Sequence, residues 1–371
     1  MIDCSKNIIS YISYFISFKI MLFPVLTSLR YKKTKKKFNV GNVNLKLVKK
    51  YNFIFNSSFN ERKIKYNKSY NNDQSVSKVF NKHLLNVKKI IDKKFNKKIK
   101  ICEIGCGKGY FLNLLEKRYK NIIGFDTTYE GKKKNIFKRY LTHKDKITAD
   151  LIILRQTLEH IPNHFNFLKM IKKISNTNAY ILIEVPDLNW IVKKQAFWDI
   201  TYEHVNYFSK KTFQNLFKKP EKIKNLFNGQ YLLVLTKLSN LNIKYNKKVK
   251  PQKISIYKIF PKIKNKIKYI DQQNNGNIYF WGGSTKTLMF LCHCKSNNML
   301  LDKIKFIVDI DFKKQNHYLQ IVNKKIISPN KLKKLINPND LIVVSNSNYI
   351  KEVKQTFIKK LKFNIKCISL D

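Results

Sequence analysis

A glycine-rich loop between a predicted strand and a predicted helix constrains this 371-residue chain more than any other feature. The segment reads KIKICEIGCGKGYFLNLLEKRY, with the acidic Glu103 ahead of the first glycine. Glycines let the backbone turn sharply and approach a ligand closely, and the free amides at the start of a helix face that ligand. The segment therefore predicts an α/β fold with a nucleotide-like ligand at this turn.

Strand and helix patterns alternate along the rest of the chain, as in parallel α/β architectures. Apolar runs predict strands over residues 98–105, 121–126, 150–155, 179–186, 277–283, 304–311, 340–346 and 362–369. Helical spacing of apolar residues predicts helices over 72–95, 110–119, 163–174 and 285–294, the first capped by Ser75 or Ser77. Residues 223–227 and 230–235 predict an antiparallel hairpin at the edge of a sheet.

Changes in composition divide these patterns into four parts. We expect an N-terminal module over 1–70, a nucleotide-type α/β domain over 71–238, a polar connector over 239–277 and a smaller α/β domain over 278–371. Residues 8–29 are apolar but include Lys19 and Pro24, whereas a spanning helix needs about 20 apolar residues without an interior charge. This run therefore favours buried strands over a membrane anchor.

The net charge of +52 first suggests a nucleic-acid binder, but the charge comes almost entirely from Lys. Only five of the 75 basic residues are Arg, the residue that makes bidentate contacts with phosphate and guanine. The charge thus indicates compositional drift rather than a polyanionic partner. We expect neither a specific nucleic-acid partner nor a membrane partner, and the sequence leaves the oligomeric state open.

The six cysteines show neither a disulfide framework nor the spacing of a metal site. No C-x-x-C pair occurs, and Cys292-His293-Cys294 is too tight for a usual zinc knuckle. We expect reduced thiols and a cytoplasmic protein.

The glycine loop suits a nucleoside with a cationic tail better than a pyrophosphate, because Glu103 places a carboxylate beside it. Asp126, at the end of the next predicted strand, is placed to bind ribose hydroxyls. The sequence E-x-G-x-G-x-G resembles the first motif of class I S-adenosylmethionine-dependent methyltransferases, with NAD binding as the alternative. The resemblance implies S-adenosylmethionine as cofactor, bound by Glu103, Gly105, Cys106, Gly107, Gly109, Asp126, Gln156 and Tyr70.

Later motifs narrow the resemblance. The segments LRQTLEHIPN, EVPDLNW, FWDITYEHVNYFS, NGQYLLV and YFWGGSTKTLMFL resemble the sugar C-methyltransferase family, which includes deoxysugar 3-C-methyltransferases. The likeness extends from about residue 20 through the C-terminal domain. It implies a Rossmann-like class I methyltransferase domain, a second, smaller Rossmann-like α/β domain, and an N-terminal module of the zinc-binding type.

Two positions depart from that family. Val48–Asn52 read VKKYN where a C-x-x-C-G sequence is expected, so we predict a degenerate module that lacks zinc and is held by packing alone. Thr201 stands where many relatives carry a Tyr in a Tyr-x-Glu-His cluster.

Methylation of a carbon next to a ketone needs a base and a group that holds the developing enolate. His204 is the candidate base, since imidazole titrates near neutral pH, and Glu203 is expected to orient it. His160 is expected to hydrogen-bond the enolate oxygen. Tyr202 and Lys286 are the candidate contacts to a sugar-nucleotide substrate, and no metal ligand is predicted.

Three alternatives remain open at the level of sequence. The same donor site could serve an O- or N-methyltransferase. The charge motivates an RNA-binding methyltransferase, although LRQTLEH is neither the Asn/Asp-Pro-Pro-Tyr/Phe box nor the catalytic cysteine of such enzymes. The altered N-terminal module is also compatible with a non-catalytic member.

Overall fold

The structure is a computed structural model that describes residues 23–34, 36–67, 70–71, 73–245, 249–273 and 276–371. Its strands are β1 (Phe23–Pro24), β2 (Arg30–Tyr31), β3 (Val40–Gly41), β4 (Leu45–Val48), β5 (Phe53–Asn56), β6 (Lys100–Ile104), β7 (Asn121–Phe125), β8 (Ile136–Phe137), β9 (Leu151–Arg155), β10 (Tyr180–Pro186), β11 (Asn206–Tyr207), β12 (Lys222–Leu226), β13 (Tyr231–Lys237), β14 (Gln252–Lys253), β15 (Ile278–Trp281), β16 (Ile304–Val308), β17 (Tyr318–Leu319), β18 (Ile326–Ile327), β19 (Leu341–Val344) and β20 (Lys366–Ser369). Its helices are α1 (Lys78–Lys94), α2 (Tyr110–Glu116), α3 (His164–Ile174), α4 (Leu188–Lys193), α5 (Lys210–Leu216), α6 (Ile256–Ile259), α7 (Ile263–Asp271), α8 (Thr285–Ser296), α9 (Pro329–Lys333) and α10 (Ile350–Thr356).

A seven-stranded sheet with the order β12-β13-β10-β9-β6-β7-β8 forms the centre of the predicted nucleotide-type domain. Strands β6 to β10 are parallel, and β13 runs antiparallel to both of its neighbours, which confirms the predicted hairpin. From β6 the chain adds β7 and β8 on one side and then β9 and β10 on the other. This reversal places a crevice beyond the carboxyl ends of β6 and β9, where open α/β sheets bind ligands.

Helix α1 covers this sheet with one apolar face. The buried residues of that face are Phe80, His83, Leu84, Val87 and Ile91. The helix begins at Lys78 rather than at residue 72, because the preceding side chains form local turns: the Asp73 amide donates to Asn71 and the Ser75 amide donates to Asp73. Ser77, one of the two predicted caps, accepts from the Phe80 amide at 3.3 Å.

A second sheet of five parallel strands has the order β18-β16-β15-β19-β20. Four of these strands match the strands predicted between residues 277 and 369. The prediction missed β18, because two residues are too few to give a pattern. Residues 278–369 thus contribute a second parallel sheet, separate from the central one.

The sheet of the N-terminal module crosses the predicted boundaries at residues 70 and 239. Its order is β11-β5-β4-β14, so β11 from the central domain and β14 from the connector complete it. Where zinc ligands were expected, Val48–Asn52 form the turn between β4 and β5, and the Tyr51 ring stacks on Tyr245 with centroids 4.6 Å apart. Apolar packing therefore anchors this turn.

Residues 8–22 of the apolar N-terminal run lie outside the described residues. In the remainder, β1 pairs with β3, and Phe23, Val25 and Leu26 are buried, as the prediction of buried strands required. Within the described part of the chain, none of the helices has the length and apolar character needed to cross a membrane. The four cysteines at 102, 106, 292 and 294 are free and buried.

Candidate active site

The glycine loop leaves β6 in a left-handed conformation at all three glycines, with φ values of 76° at Gly105, 56° at Gly107 and 78° at Gly109. A Cβ atom on Gly105 would clash with the side chain of Thr157, so that glycine keeps the loop in contact with the segment after β9. A Cβ atom on Gly107 would meet no atom within 4 Å. The backbone at Gly107 therefore borders open space at the sheet edge, as a loop that cradles a ligand must.

Alanine substitutions separate the two roles. Both Gly105→Ala and Gly107→Ala carry the left-handed backbone penalty of about 1–2 kcal/mol, but only Gly105→Ala adds the clash with Thr157. We expect Gly105→Ala to lose more unfolding free energy in urea titrations. We expect Gly107→Ala to weaken donor binding in calorimetry, because its methyl enters the ligand space. Equal stability losses with unchanged donor affinity in both variants would contradict this assignment.

Two carboxylates flank the loop. Asp126 accepts from the Gly107 amide and from the amide and hydroxyl of Thr128, each at 2.7 Å, so it is fixed at the end of β7 as predicted for a ribose contact. Glu103 is buried at the end of β6, and its Oε2 has no hydrogen-bond partner among the described residues. Burial raises the pKa of Glu103 to about 7, although Arg155 opposes that shift. An unpartnered carboxylate and an open glycine cradle fit a cationic nucleoside such as S-adenosylmethionine.

Gln156 and Cys106, the other predicted contacts to the methyl donor, differ in whether they have a polar group available to bind it. Gln156 adopts a strained φ of 51°, and its buried Nε2 lacks a partner among the described residues, so it is available to a ligand. Cys106 instead turns its side chain into the core beside Gly124, and its amide donates to Phe125 at 3.3 Å. The predicted Cys106 contact is therefore disfavoured, because neither group is directed to the loop's open side.

Two histidines and a glutamate lie close together, in the segment that follows β9 and in the turn that precedes β11. The rings of His160 and His204 meet edge to face with centroids 4.8 Å apart, and one ligand atom from each of Glu159, His160 and His204 lies within 4.8 Å of the others. Both histidines are half-buried, whereas Glu159 is 1% exposed. We call these three residues the Glu-His-His cluster. The structure thus brings together the two histidines that the sequence singled out separately.

Burial sets the protonation of this cluster. It lowers the pKa of His204 well below its ordinary value, with smaller contributions from His160 and Lys286, and it also lowers the pKa of His160. Burial raises the pKa of Glu159 to about 8. At neutral pH both imidazoles are therefore neutral, which leaves each with one nitrogen able to accept a proton.

Glu203 does not orient His204, contrary to the sequence-based expectation. Its Oε1 accepts from the amide of Thr27 at 2.8 Å and from the Thr27 hydroxyl, and its Oε2 accepts from Tyr70 at 2.9 Å. The Thr27 hydroxyl also lies 2.7 Å from that of Thr285 in the second α/β unit. Glu203 therefore joins three parts of the fold, and Tyr70 serves this junction rather than the predicted cofactor contact.

The structure also revises the two predicted substrate contacts. Tyr202 is 1% exposed; its ring fills the space beside Gly41, and its hydroxyl accepts from the Asn60 amide at 2.8 Å. It is a packing residue, because no face of its ring is open to a substrate. Lys286 is bonded to Asp199 and lies over the Trp190 ring, so its charge is already matched inside the protein.

Thr201, the second departure from the family pattern, holds the turn that carries His204, the candidate base. Its hydroxyl accepts from the His204 amide at 3.0 Å, and its amide donates to Tyr207 at 3.0 Å. Its side chain is fully buried. A short hydroxyl at this position thus fixes the backbone of His204.

Sequence reasoning missed three residues that support the site. The Tyr66 hydroxyl lies 3.1 Å from Nδ1 of His160. His83 on α1 and Arg155 on β9 flank Glu184 at 3.0 and 2.9 Å. No local pattern marks that ion cluster, because its members come from three separate elements.

Comparison with known proteins assigns the central domain. Residues 77–220 match the family model described as a methyltransferase domain. No curated protein sequence matches the chain significantly. The match to a methyltransferase model, together with a loop that fits a cationic nucleoside, sets aside the NAD alternative.

Several solved structures share part of the fold. A Pyrococcus horikoshii protein is 16% identical with a TM-score of 0.36, covering 43% of this chain and 92% of its own. An S-adenosylmethionine-dependent methyltransferase from Mesorhizobium loti is 10% identical with a TM-score of 0.33, covering 40% and 96%. An SAH-bound methyltransferase of calicheamicin biosynthesis is 11% identical with a TM-score of 0.34, covering 42% and 52%. None of these likenesses identifies an acceptor for this chain. The family match therefore makes residues 77–220 a methyltransferase domain.

Proposed function

We propose that this enzyme methylates a carbon atom next to the carbonyl of a keto-sugar nucleotide or a related saccharide. The observation that carries the proposal is the position of His160 and His204. The segment that leads to His160 packs on the glycine loop through Thr157, so both imidazoles stand beside the donor site.

His204 is proposed to remove the proton from the carbon next to the carbonyl. Its neutral imidazole accepts that proton, and the electron pair of the C–H bond becomes that of the enolate. When bound, S-adenosylmethionine supplies a sulfonium methyl group that this carbon takes, leaving a neutral thioether. His204 then returns its proton to solvent.

His160 is proposed to hold the enolate oxygen. The Tyr66 hydroxyl lies 3.1 Å from its Nδ1, and the two rings meet edge to face with centroids 6.1 Å apart, which fixes the plane of the imidazole. A donor fixed before the reaction stabilises the developing charge without reorganisation.

The saccharide class rests on the sugar C-methyltransferase motifs, which continue into the second α/β unit. The net charge of +52 also favours the capture of an anionic sugar nucleotide over a neutral metabolite.

Product analysis tests the proposal. The purified enzyme would be incubated with S-adenosylmethionine and a panel of nucleotide-linked keto-sugars and matched hydroxy-sugars. We expect a mass gain of one methylene for a keto-sugar, with NMR placing the methyl group on carbon next to the carbonyl. A methyl group found only on oxygen or nitrogen, or only on RNA, would overturn it.

A further inference from the structure

We propose that the Glu-His-His cluster binds a divalent transition metal ion such as Zn²⁺, and that the bound ion silences the enzyme by occupying His204. Two imidazoles and a carboxylate form a ligand set that suits Zn²⁺ and its first-row neighbours. No sequence motif predicts this site, because Glu159 and His160 lie 45 and 44 residues before His204 and lack the spacing of a usual metal site.

The distances between the three ligand atoms are close to those around a coordinated metal ion. One ligand atom from each residue lies within 4.8 Å of the other two. A tetrahedral zinc ion with bonds of about 2.0–2.2 Å holds its ligand atoms about 3.3–3.6 Å apart. Coordination therefore requires these side chains to approach one another more closely, and three protein ligands leave a fourth position for water or substrate.

An independent observation points to a missing partner. Both carboxylate oxygens of Glu159 are buried without a hydrogen-bond partner among the described residues, although the residue is only 1% exposed. A buried carboxyl group in this state costs free energy until a hydrogen-bond partner or a cation satisfies it. The position of Glu159 beside two imidazole nitrogens makes a metal cation the partner that fits.

The surroundings supply the support that metal-binding histidines need. The Tyr66 hydroxyl contacts Nδ1 of His160 and lies 3.5 Å from Glu203, so a hydroxyl and a carboxylate stand behind the imidazole. Lys286, whose charge contributes to the lowered pKa of His204, is itself paired with Asp199.

Metal binding has a defined consequence for the proposed reaction. A nitrogen lone pair of His204 that bonds a metal ion cannot take a proton from a substrate. Binding itself is independent of the proposed function, whereas inhibition rests on it. Two separate measurements therefore distinguish a failure of the site from a failure of the catalytic assignment.

Cobalt titration tests the site on the full chain after chelator treatment. We expect one equivalent of Co²⁺ to give the intense visible absorption of a four- or five-coordinate ion, displaced by Zn²⁺. Glu159→Gln, His160→Gln and His204→Gln should each lower the affinity by more than the about 10–100-fold that loss of an outer partner costs. His143→Gln, at an exposed histidine, is the matched control and should bind normally.

Circular dichroism establishes that each variant folds, and three independent substitutions keep the test decisive if one does not. Co²⁺ absorption that is missing in the parent protein, or unchanged in all folded ligand variants, overturns the site. One equivalent of Zn²⁺ should abolish methyl transfer, and chelator should restore it. Turnover that rises with Zn²⁺ overturns the silencing role while leaving the site in place.

Discussion

His204→Gln is expected to lower methyl transfer by about 10²–10⁴-fold while leaving the affinity for S-adenosylmethionine unchanged. The substitution removes the only proposed proton acceptor, because Glu203 is held by Thr27 and Tyr70. The donor site is untouched, since the glycine loop and Asp126 lie on other elements. The substitution should therefore lower turnover without changing the binding of the methyl donor.

The measurement is designed to isolate proton removal. The keto-sugar substrate identified by product analysis would be incubated in D₂O with the protein and S-adenosylhomocysteine, with chelator present. The parent protein should exchange the hydrogen next to the carbonyl for deuterium, and His204→Gln should not. His143→Gln controls for the loss of any histidine. Undiminished exchange in His204→Gln would exclude this residue as the base.

Arg155→Ala is expected to destabilise the protein by about 3–5 kcal/mol, the largest stability effect that we anticipate for a single substitution. Arg155 lies 2.9 Å from Glu184, which is fully buried, and its guanidinium stands 4.4 Å from the Phe111 ring centroid. Its removal leaves a buried carboxylate with the imidazole of His83, 3.0 Å away, as its remaining neighbour in this cluster. The expected loss of stability comes from the unpaired buried charge that remains, and not from the net stabilisation that the intact ion pair provides.

Acid titration gives an independent check. Burial works against ionisation of Glu184, but Arg155 and His83 overcome it and lower its pKa to about 2. A carboxyl with a lowered folded pKa stabilises the protein above its ordinary value near 4.5 and loses that contribution as pH falls toward 2. Chemical denaturation should show this decline in the parent protein. In Arg155→Ala the decline should be smaller, because Glu184 then lacks the guanidinium that lowers its pKa. Equal stability of parent and variant at pH 7 would contradict the assignment.

Double substitution separates charge from packing. In Arg155→Met combined with Glu184→Gln, the buried charge is absent while side-chain volume is largely kept. This variant should recover much of the stability that Arg155→Ala loses. No recovery would mean that the contact with Phe111 dominates.

The local sequence pattern predicted the strands of the central sheet well, but it predicted the start of α1 and the extent of the N-terminal sheet poorly. Strands β6, β7, β9 and β10 are long and apolar, so their positions followed from composition and spacing alone. The start of α1 was wrong by six residues, because Asn71 and Asp73 capture backbone amides that a helix would have used. The boundaries of the N-terminal module crossed its sheet, because β11 and β14 are two residues long and pair with distant strands.

The candidate site shows the same difference between features set by local sequence and contacts between distant residues. Glycines with positive φ and a carboxylate at the end of the following strand are local requirements, so the sequence exposed the donor loop and Asp126. The sequence also indicated both histidines, from motifs beside strand ends. Their partners were misassigned, since Glu203 binds Thr27, 176 residues away, rather than the adjacent His204.

By itself, the sequence determined the parallel α/β architecture, the donor loop and the candidate base, because backbone geometry and side-chain periodicity act between near neighbours. Only the tertiary structure decided which side chains face one another. It showed that Tyr202 packs inside the protein and that Lys286 pairs with Asp199. It also placed Glu159, which has no hydrogen-bond partner among the described residues, beside His160 and His204. Such contacts depend on how separate elements meet, and no local pattern encodes the direction in which two distant side chains converge.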